Sequence, residues 1–363
     1  MFAGGKRPEK IVINGNDLVR EMDGMTRVAT EIVRRLDHLL PPGCAEVVVK
    51  DKTALAAIME LKNIKVIQRK WPMAKWELIH LDLYCMLDHA WELRFRNRAG
   101  RAKGIYYLHD LIPITFYGAD FADGKKDTVK TAGKQYERNL RRMKKNAEKI
   151  VTVSEYSKQE ILRYLDVEKD RVVVVPNGWE HYEEIEPNER IFEKFPKLKE
   201  EPYFFSLGGI SPHKNFGLIC KLAKSNKNAN FVIAGDVNRG LETEVPDLKN
   251  LIFTGRLTDG EIKALMEGCR AFIFPSLAEG MGLPHLEALS CGADVLVSDI
   301  PVMHEVCGGS VRYFDPRNGE VDLETLLAEQ VELPQKVLER FSWDLAAEKI
   351  SNLILEALGR GEQ

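Results

Sequence analysis

The chain has 363 residues, 44% hydrophobic and 29% charged, with a formal net charge of −3. This composition excludes fibrous and disordered classes, and the length suits two domains with separate cores. No apolar run approaches the roughly 20 residues that cross a bilayer, and the N-terminal MFAGGKRPEK lacks the apolar core of a signal peptide. A cytoplasmic location is therefore expected.

In chain order, the first half offers the apolar strand KIVING, an amphipathic helix over Thr26–Leu40, and the strands AEVVVK, IKVIQ and GIYYLHD. A long helix around Lys130–Ala147 follows, then the strand KIVTVS, a helix from Tyr156 and the strand RVVVVPNG. The second half restarts the pattern with YFFSLGG, a helix from Asn215, NFVIAGD, NLIFTG, a helix from Asp259, AFIFPS, a helix from near Pro284, ADVLVS and SVRYFD. Strands alternating with helices twice over predict an α/β protein of two doubly wound, Rossmann-like domains with parallel sheets. The expected boundaries are residues 1–180, a polar and acidic linker over 181–202, a second domain over 203–340, and a C-terminal stretch 341–363. That last stretch, FSWDLAAEKISNLILEALG, reads as an amphipathic helix ended by glycine and able to cross back to the N-terminal domain.

Charge is split unevenly. Residues 1–175 hold 33 Lys/Arg and 24 Asp/Glu (+9), and residues 176–363 hold 19 and 31 (−12), which together give the net −3. Either an anionic partner on the N-terminal side or a set of lysine-rich solvated helices accounts for the basic half. Cys44, Cys85, Cys220, Cys269, Cys291 and Cys307 are scattered without C-x-x-C or zinc spacing, so free buried thiols are expected, with no metal.

In open parallel sheets, ligands collect beyond the carboxyl ends of the strands. Four segments carry suitable chemistry there. FPSLAEGMGLPHLEAL places Glu279 in a loop after a strand and Glu287 in the first turn of the next helix, separated by Gly280, Gly282 and Pro284. A glycine turn and a helix start can hold a diphosphate, with a carboxylate at each end to accept sugar and ribose hydroxyls. Spacing alone equally fits a helix-start carboxylate and a solvated loop residue. FSLGGISPHKNFGLI offers Gly208, Gly209 and Lys214 at a second strand-to-helix junction, without a phosphate-loop consensus. GIYYLHDLIPITF puts His109 and Asp110 after a strand, either to bind substrate hydroxyls or to cap the strand end. REMDGMTRVATEI puts Gly24 in a turn before the first helix.

In order and approximate spacing, HDLIP, IVTVSEYSKQEIL, VVPNG, LGGISPHKN, FPSLAEGMGLPHLEALSCGADVLVSDIPVMHEV, YFDP and FSW resemble glycosyltransferase family 4. The resemblance covers nearly the whole chain, with 51–100 contributing little, and its glutamate pair in a G-x-G-L-P context is highly specific. It implies a GT-B fold and a retaining, nucleotide-sugar-dependent enzyme. Glu279 would bind donor-sugar hydroxyls and Glu287 the ribose, while Gly280, Met281, Gly282 and Leu283 supply backbone N–H groups near the diphosphate. Lys214 matches the lysine that neutralises the leaving phosphate, His109 a histidine near the reaction centre, and Gly24 a glycine loop over the phosphates. Gly208 and Gly209 fall in the donor loop, and Gly255 and Arg256 in TGRLTD at the base. Many members carry arginine where this chain has Gly209, and His213 and Arg256 are the candidate substitutes for that second cationic contact.

The resemblance points to front-face attack by an acceptor hydroxyl, with Glu279 not a nucleophile. Asp-x-Asp does not occur in the sequence, which agrees with metal independence. The neighbourhoods GGISPHKN and YFDP look most like members transferring mannose or related sugars, which favours a GDP-sugar over a UDP-sugar. The expected function is hexose transfer to a glycan or lipid-linked acceptor in surface polysaccharide or glycolipid assembly, with no cofactor and no nucleic acid. A non-catalytic nucleotide-sugar or glycan-binding protein and a GT-B epimerase are the competing readings. Tyr136, Leu140, Met143 and Ala147 fall on one helical face, leaving Arg138, Arg141, Arg142, Lys144 and Lys145 mostly outside it. Those cations are either simply solvated or a peripheral contact to anionic lipid at the inner membrane face.

Overall fold

The computed structural model describes residues 10–15, 18, 23–68, 77–82, 103–117, 126–208, 211–235 and 248–359. Two units emerge, Met1–Asn177 with Trp343–Gln363, and Gly178–Ser342. Each is a doubly wound α/β layer structure.

In the first unit the short apolar runs become β1 (Lys10–Asn14), β2 (Ala45–Val49), β3 (Lys65–Gln68), β4 (Glu77–Asp82), β5 (Lys103–Tyr107), β6 (Ala147–Thr152) and β7 (Val172–Val174). They pair in the order β3-β2-β1-β4-β5-β6-β7, every pair parallel. All five residues of β2 are buried, as expected for a parallel strand covered on both faces. The strand β4 is absent from the sequence reading. Its run ELIHLD has Glu77, His80 and Asp82 among the apolar residues, so neither a continuous apolar stretch nor a clean alternation marks it.

The helix Lys126–Asn146 packs through Tyr136, Leu140 and Met143 into a cluster with Tyr106, Leu108, Ile150 and Ile161. Arg138, Arg141 and Lys145 are exposed, while Arg142 and Lys144 are half-buried. Ala147, expected on the helical face, is instead the first residue of β6 and is still buried. No turn residue separates helix from strand there, so sheet pairing from Gly104 to Ala147 sets the boundary.

The final helix, Trp343–Ala357, packs on the helix Gly24–Leu39 within this same unit. Trp343 is fully buried, and the Arg35 guanidinium bonds both Asp344 and the buried Glu31. Asp37, near the end of the earlier helix, accepts backbone N–H bonds from Lys62, Asn63 and Ile64 at 2.7–2.9 Å and so fixes the entry to β3.

The second unit contains β8 (Tyr203–Leu207), β9 (Asn230–Ala234), β10 (Leu251–Gly255), β11 (Ala271–Phe274), β12 (Val295–Ser298) and β13 (Arg312–Phe314). Their order is β10-β9-β8-β11-β12-β13, again all parallel. Phe204 stacks on Phe231 at 5.3 Å between ring centroids, inside a cluster with Leu218, Leu222, Ile273 and Leu296. The strand order reverses between β8 and β11, which makes their carboxyl ends the place where a ligand crevice forms.

The stretch 181–202 contains the short helices Arg190–Lys194 and Lys197–Glu200, with Ile191 and Leu198 buried. Lys194 Nζ lies 2.6 Å from Glu261 Oε1, and Asn188 N donates to Gly260 O at 2.8 Å. Cys44, Cys220, Cys269, Cys291 and Cys307 are free thiols, and Cys85 lies outside the described residues. Among the described residues, no helix is long and apolar enough to cross a membrane.

Candidate active site

At the β8–β11 switch point, two loops are stitched together by backbone and side-chain bonds. After β8 comes Gly208; Gly209 lies outside the described residues. The turn Pro212–Lys214 then leads to Asn215, which sits at φ +57° in the left-handed region and starts the helix Phe216–Ser225. Asparagine tolerates that conformation because its short polar side chain bonds locally. Here Asn215 Nδ2 donates to Pro275 O at 3.1 Å and to Pro316 O at 2.9 Å, tying the turn to the segments beyond β11 and β13. Leu277 N donates to His213 O at 2.7 Å. These bonds hold Lys214 against the loop that carries Glu279.

Lys214 Nζ donates to Glu279 Oε1 at 2.6 Å, and the same ammonium lies 5.7 Å from the centroid of the Phe274 ring. Glu279 is buried and Lys214 is about one-quarter exposed, with side-chain exposures of 7% and 26%. Burial alone would raise the Glu279 pKa, but its polar surroundings, led by the charge and hydrogen bond of Lys214, hold the carboxyl below its usual range. Glu279 is thus an anion facing a cation that still reaches solvent. Burial and then the neighbouring Lys214 charge push the His213 imidazole down to about 4. His213 is therefore neutral near pH 7 and supplies no second positive charge, which leaves the exposed Arg256 as the cation among the two substitutes considered from the sequence.

The loop after Glu279 runs through Gly280, the buried Met281, Gly282 and Leu283 into the helix Pro284–Ser290. Gly282 has φ +82°, and a Cβ there would lie 2.9 Å from the His285 ring and 3.2 Å from that of Phe274. Glu287 lies in the first helical turn and is buried, so the two glutamates occupy loop and helix and share no helical face. At the carboxyl ends of β8, β9 and β10 the backbone is equally close. Gly208 N donates to Ala234 O at 3.2 Å, and Gly235 N to Gly255 O at 2.9 Å, with Gly255 at φ +71° and Arg256 exposed just beyond.

His109 and Gly24 belong to the other unit. His109 follows β5, half-buried, with its ring 4.7 Å from that of Tyr107 and its carbonyl accepting from Thr152 Oγ1 at 3.3 Å. Asp110 Oδ1 accepts from Ile112 N at 2.9 Å, so its carboxylate serves the start of the helix Ile112–Thr115. Gly24 opens the helix Gly24–Leu39, whose cap is Asp23, accepting from Thr26 N at 2.8 Å.

Sequence reasoning missed three residues of this neighbourhood. Asn215 had a local signal, an asparagine between a turn and a helix start. His181, 3.2 Å from Glu287, had none, since 106 positions separate them. His285 is fully buried, and neither ring nitrogen finds a hydrogen-bond partner among the described residues. Burial pushes its pKa down from 6.5 to about 4, with Lys214 adding and Glu279 opposing. The folded value lies below the unfolded one, so stability is complete above pH 6.5 and falls as pH drops toward 4. His285 alone is expected to cost about 2 kcal/mol between pH 7 and pH 5. Urea unfolding at both pH values measures this; a His285→Leu variant as acid-sensitive as the parent would overturn it.

Two doubly wound units, each with an all-parallel sheet, make up the GT-B fold. Residues 43–181 match the family model for Glycosyltransferase Family 4, and residues 187–334 that for Glycosyl transferases group 1. The chain belongs to these glycosyltransferases. It is 30% identical over 235 residues to the serotype-specific mannosyltransferase WbdA of Escherichia coli, covering 60% of this chain and 28% of that one. It is 27% identical over 264 residues to the O-antigen chain mannosyltransferase RfbU of Salmonella typhimurium, covering 69% of each. The chain thus spans little more than a quarter of WbdA and about two thirds of RfbU. In fold it is similar to Anabaena Alr3699/HepE, solved in complex with UDP and glucose, with a TM-score of 0.70 at 15% identity over 96% of this chain and 99% of that one.

Proposed function

We propose that the protein is a retaining, metal-independent hexosyltransferase. It moves mannose or a related sugar from a nucleotide sugar, with GDP favoured over UDP, to a glycan or lipid-linked acceptor in surface polysaccharide assembly. The observation that carries this reading is the Lys214–Glu279 pair beside the glycine turn at the switch point. Similarity to mannosyltransferases WbdA and RfbU supports the sugar, and through it the GDP donor.

In this mechanism the bond from the anomeric carbon to the diphosphate oxygen breaks as a bond to the acceptor oxygen forms on the same face. The acceptor proton passes to the departing phosphate. Negative charge grows on that phosphate while the sugar takes on oxocarbenium character, so preorganised positive groups lower the barrier. Lys214 turns from Glu279 toward the phosphate, and the Gly280–Leu283 backbone N–H groups support it. Glu279 then accepts hydroxyls of the donor sugar and Glu287 those of the ribose. Gly208, Gly255 and Arg256 are the proposed contacts to the nucleotide within the second unit. The exposed Arg138, Arg141 and Lys145 are the proposed contact for an anionic lipid-linked acceptor at a membrane surface.

Two measurements test this reading. GDP should raise the melting temperature more than UDP does at equal concentration, because a ligand that binds only the folded state stabilises it. GDP-mannose with a suitable glycan acceptor should release GDP. A larger shift with UDP reassigns the donor base, and binding without turnover for every donor and acceptor overturns the enzymatic reading.

A further inference from the structure

His181 lies in the short 3-10 turn Glu180–Tyr182, three residues after the chain enters the second unit at Gly178. It is 3% exposed, and its Nε2 is 3.2 Å from Glu287 Oε1. The turn that presents it is firmly tethered. Trp179 Nε1 donates to Leu338 O at 3.0 Å, Trp179 N to Glu180 Oε2 at 2.9 Å, and Lys263 Nζ to the carbonyls of Tyr182 and Ile185, each at 2.8 Å. The imidazole also packs edge-on against Tyr182, at 5.4 Å and 82°. Its position is fixed by the protein rather than by Glu287.

Burying an imidazole beside a carboxylate is not an effective way to stabilise a fold, since well-packed apolar residues often do as well or better. The arrangement makes sense as a device for aiming a carboxylate. An ionised carboxylate only accepts, so Nε2 carries the proton and donates it to Oε1. That bond restricts rotation of the Glu287 side chain and leaves Oε2 to receive another donor. We propose that His181 is a positioning residue that holds Glu287 ready to accept the ribose diol of the donor nucleotide. The inference rests on the proposed role of Glu287 as the ribose contact.

The test is a cycle between one side chain and one pair of ligand hydroxyls. Affinities of GDP and 2′,3′-dideoxy-GDP are measured by calorimetry on the full chain, for the parent, His181→Phe and His181→Gln. Phenylalanine keeps a ring of similar size without the N–H; glutamine keeps an N–H donor at similar reach. The parent should prefer GDP over the dideoxy analogue. His181→Phe should bind GDP about tenfold more weakly, as expected for a lost hydrogen bond to a charged group, and bind the analogue unchanged. His181→Gln should recover much of the loss, and in turnover the effect should fall on donor KM rather than kcat.

Equal weakening of both nucleotides, or full discrimination retained in His181→Phe, overturns the positioning role while leaving the donor site intact. A parent that binds GDP without preferring it over the analogue overturns the ribose role of Glu287, and the inference with it. A parent that binds neither GDP nor UDP overturns the donor-site reading itself. Loss of folding in His181→Phe alone leaves His181→Gln to decide: glutamine that folds but fails to prefer GDP overturns the inference.

Discussion

Gly235→Ala is expected to destabilise the second unit by more than about 4 kcal/mol, enough to prevent its folding at ordinary temperature. Gly235 follows β9 at φ +127°, where L side chains are strained, and an added Cβ would stand 1.9 Å from the carbonyl oxygen of Gly208. Neither partner can yield cheaply. The Gly208 backbone is tied to Ala234 O through its N–H, and Gly235 N to Gly255 O. Relief would have to pull apart the ends of neighbouring strands. Gly217→Ala is the matched control, because Gly217 is an exposed helical position where an added Cβ would meet nothing within 4 Å. That change should be neutral or stabilising by up to about 1 kcal/mol. Circular dichroism and urea unfolding of both variants decide the matter, and a Gly235→Ala midpoint near the parent's would show that the strand ends part more easily than these bonds imply.

Removing Lys214 should act on stability and turnover together. Lys214→Ala leaves Glu279 as a buried anion without its cation, and breaking a buried pair costs on the order of 3 kcal/mol, reduced here because Lys214 is partly solvated. In the proposed mechanism it also removes the charge that stabilises the leaving phosphate, so turnover should fall at least about tenfold, or 1.4 kcal/mol of barrier. The double variant Lys214→Ala/Glu279→Gln separates the two effects. With the orphaned charge gone, stability should recover most of its loss, while turnover stays low because both proposed donor contacts are missing. Turnover intact in Lys214→Ala and in Glu279→Ala, with donor still bound, would show the donor-site map to be wrong.

The fold was legible where strands are short apolar runs between polar helices. The runs YFFSL, NFVIA, AFIF and VLVS each became a parallel strand of the second sheet, and their alternation with helices announced the doubly wound class. β4 was not legible because three ionisable residues interrupt it, although it pairs with β1 at the reversal of strand order in the first sheet. The site was legible as segments rather than as bonds. Lys214 and Glu279 each stood out by position after a strand, but 65 residues separate them and nothing local says that the fold closes one upon the other. The same holds for His181 and Glu287, which meet only because a turn early in the second unit packs beside the helix Pro284–Ser290. Burial of His285 was likewise hidden, since a histidine in a helical first turn reads as polar until the Gly282 loop is folded over it.

The helix Trp343–Ala357 constrains how the chain can be cut and recombined. Because it completes the unit that residues before Gly178 began, the second unit is an insertion bounded by two crossings, at Asn177–Gly178 and at Ser342–Trp343. A protease that nicks one crossing leaves the halves covalently joined through the other, and only two cuts liberate residues 178–342. A chimera that borrows the second unit of a relative must therefore match two junctions. One spliced at the first junction alone would also import a foreign final helix, whose residues would have to replace Trp343 and Asp344 against the helix Gly24–Leu39.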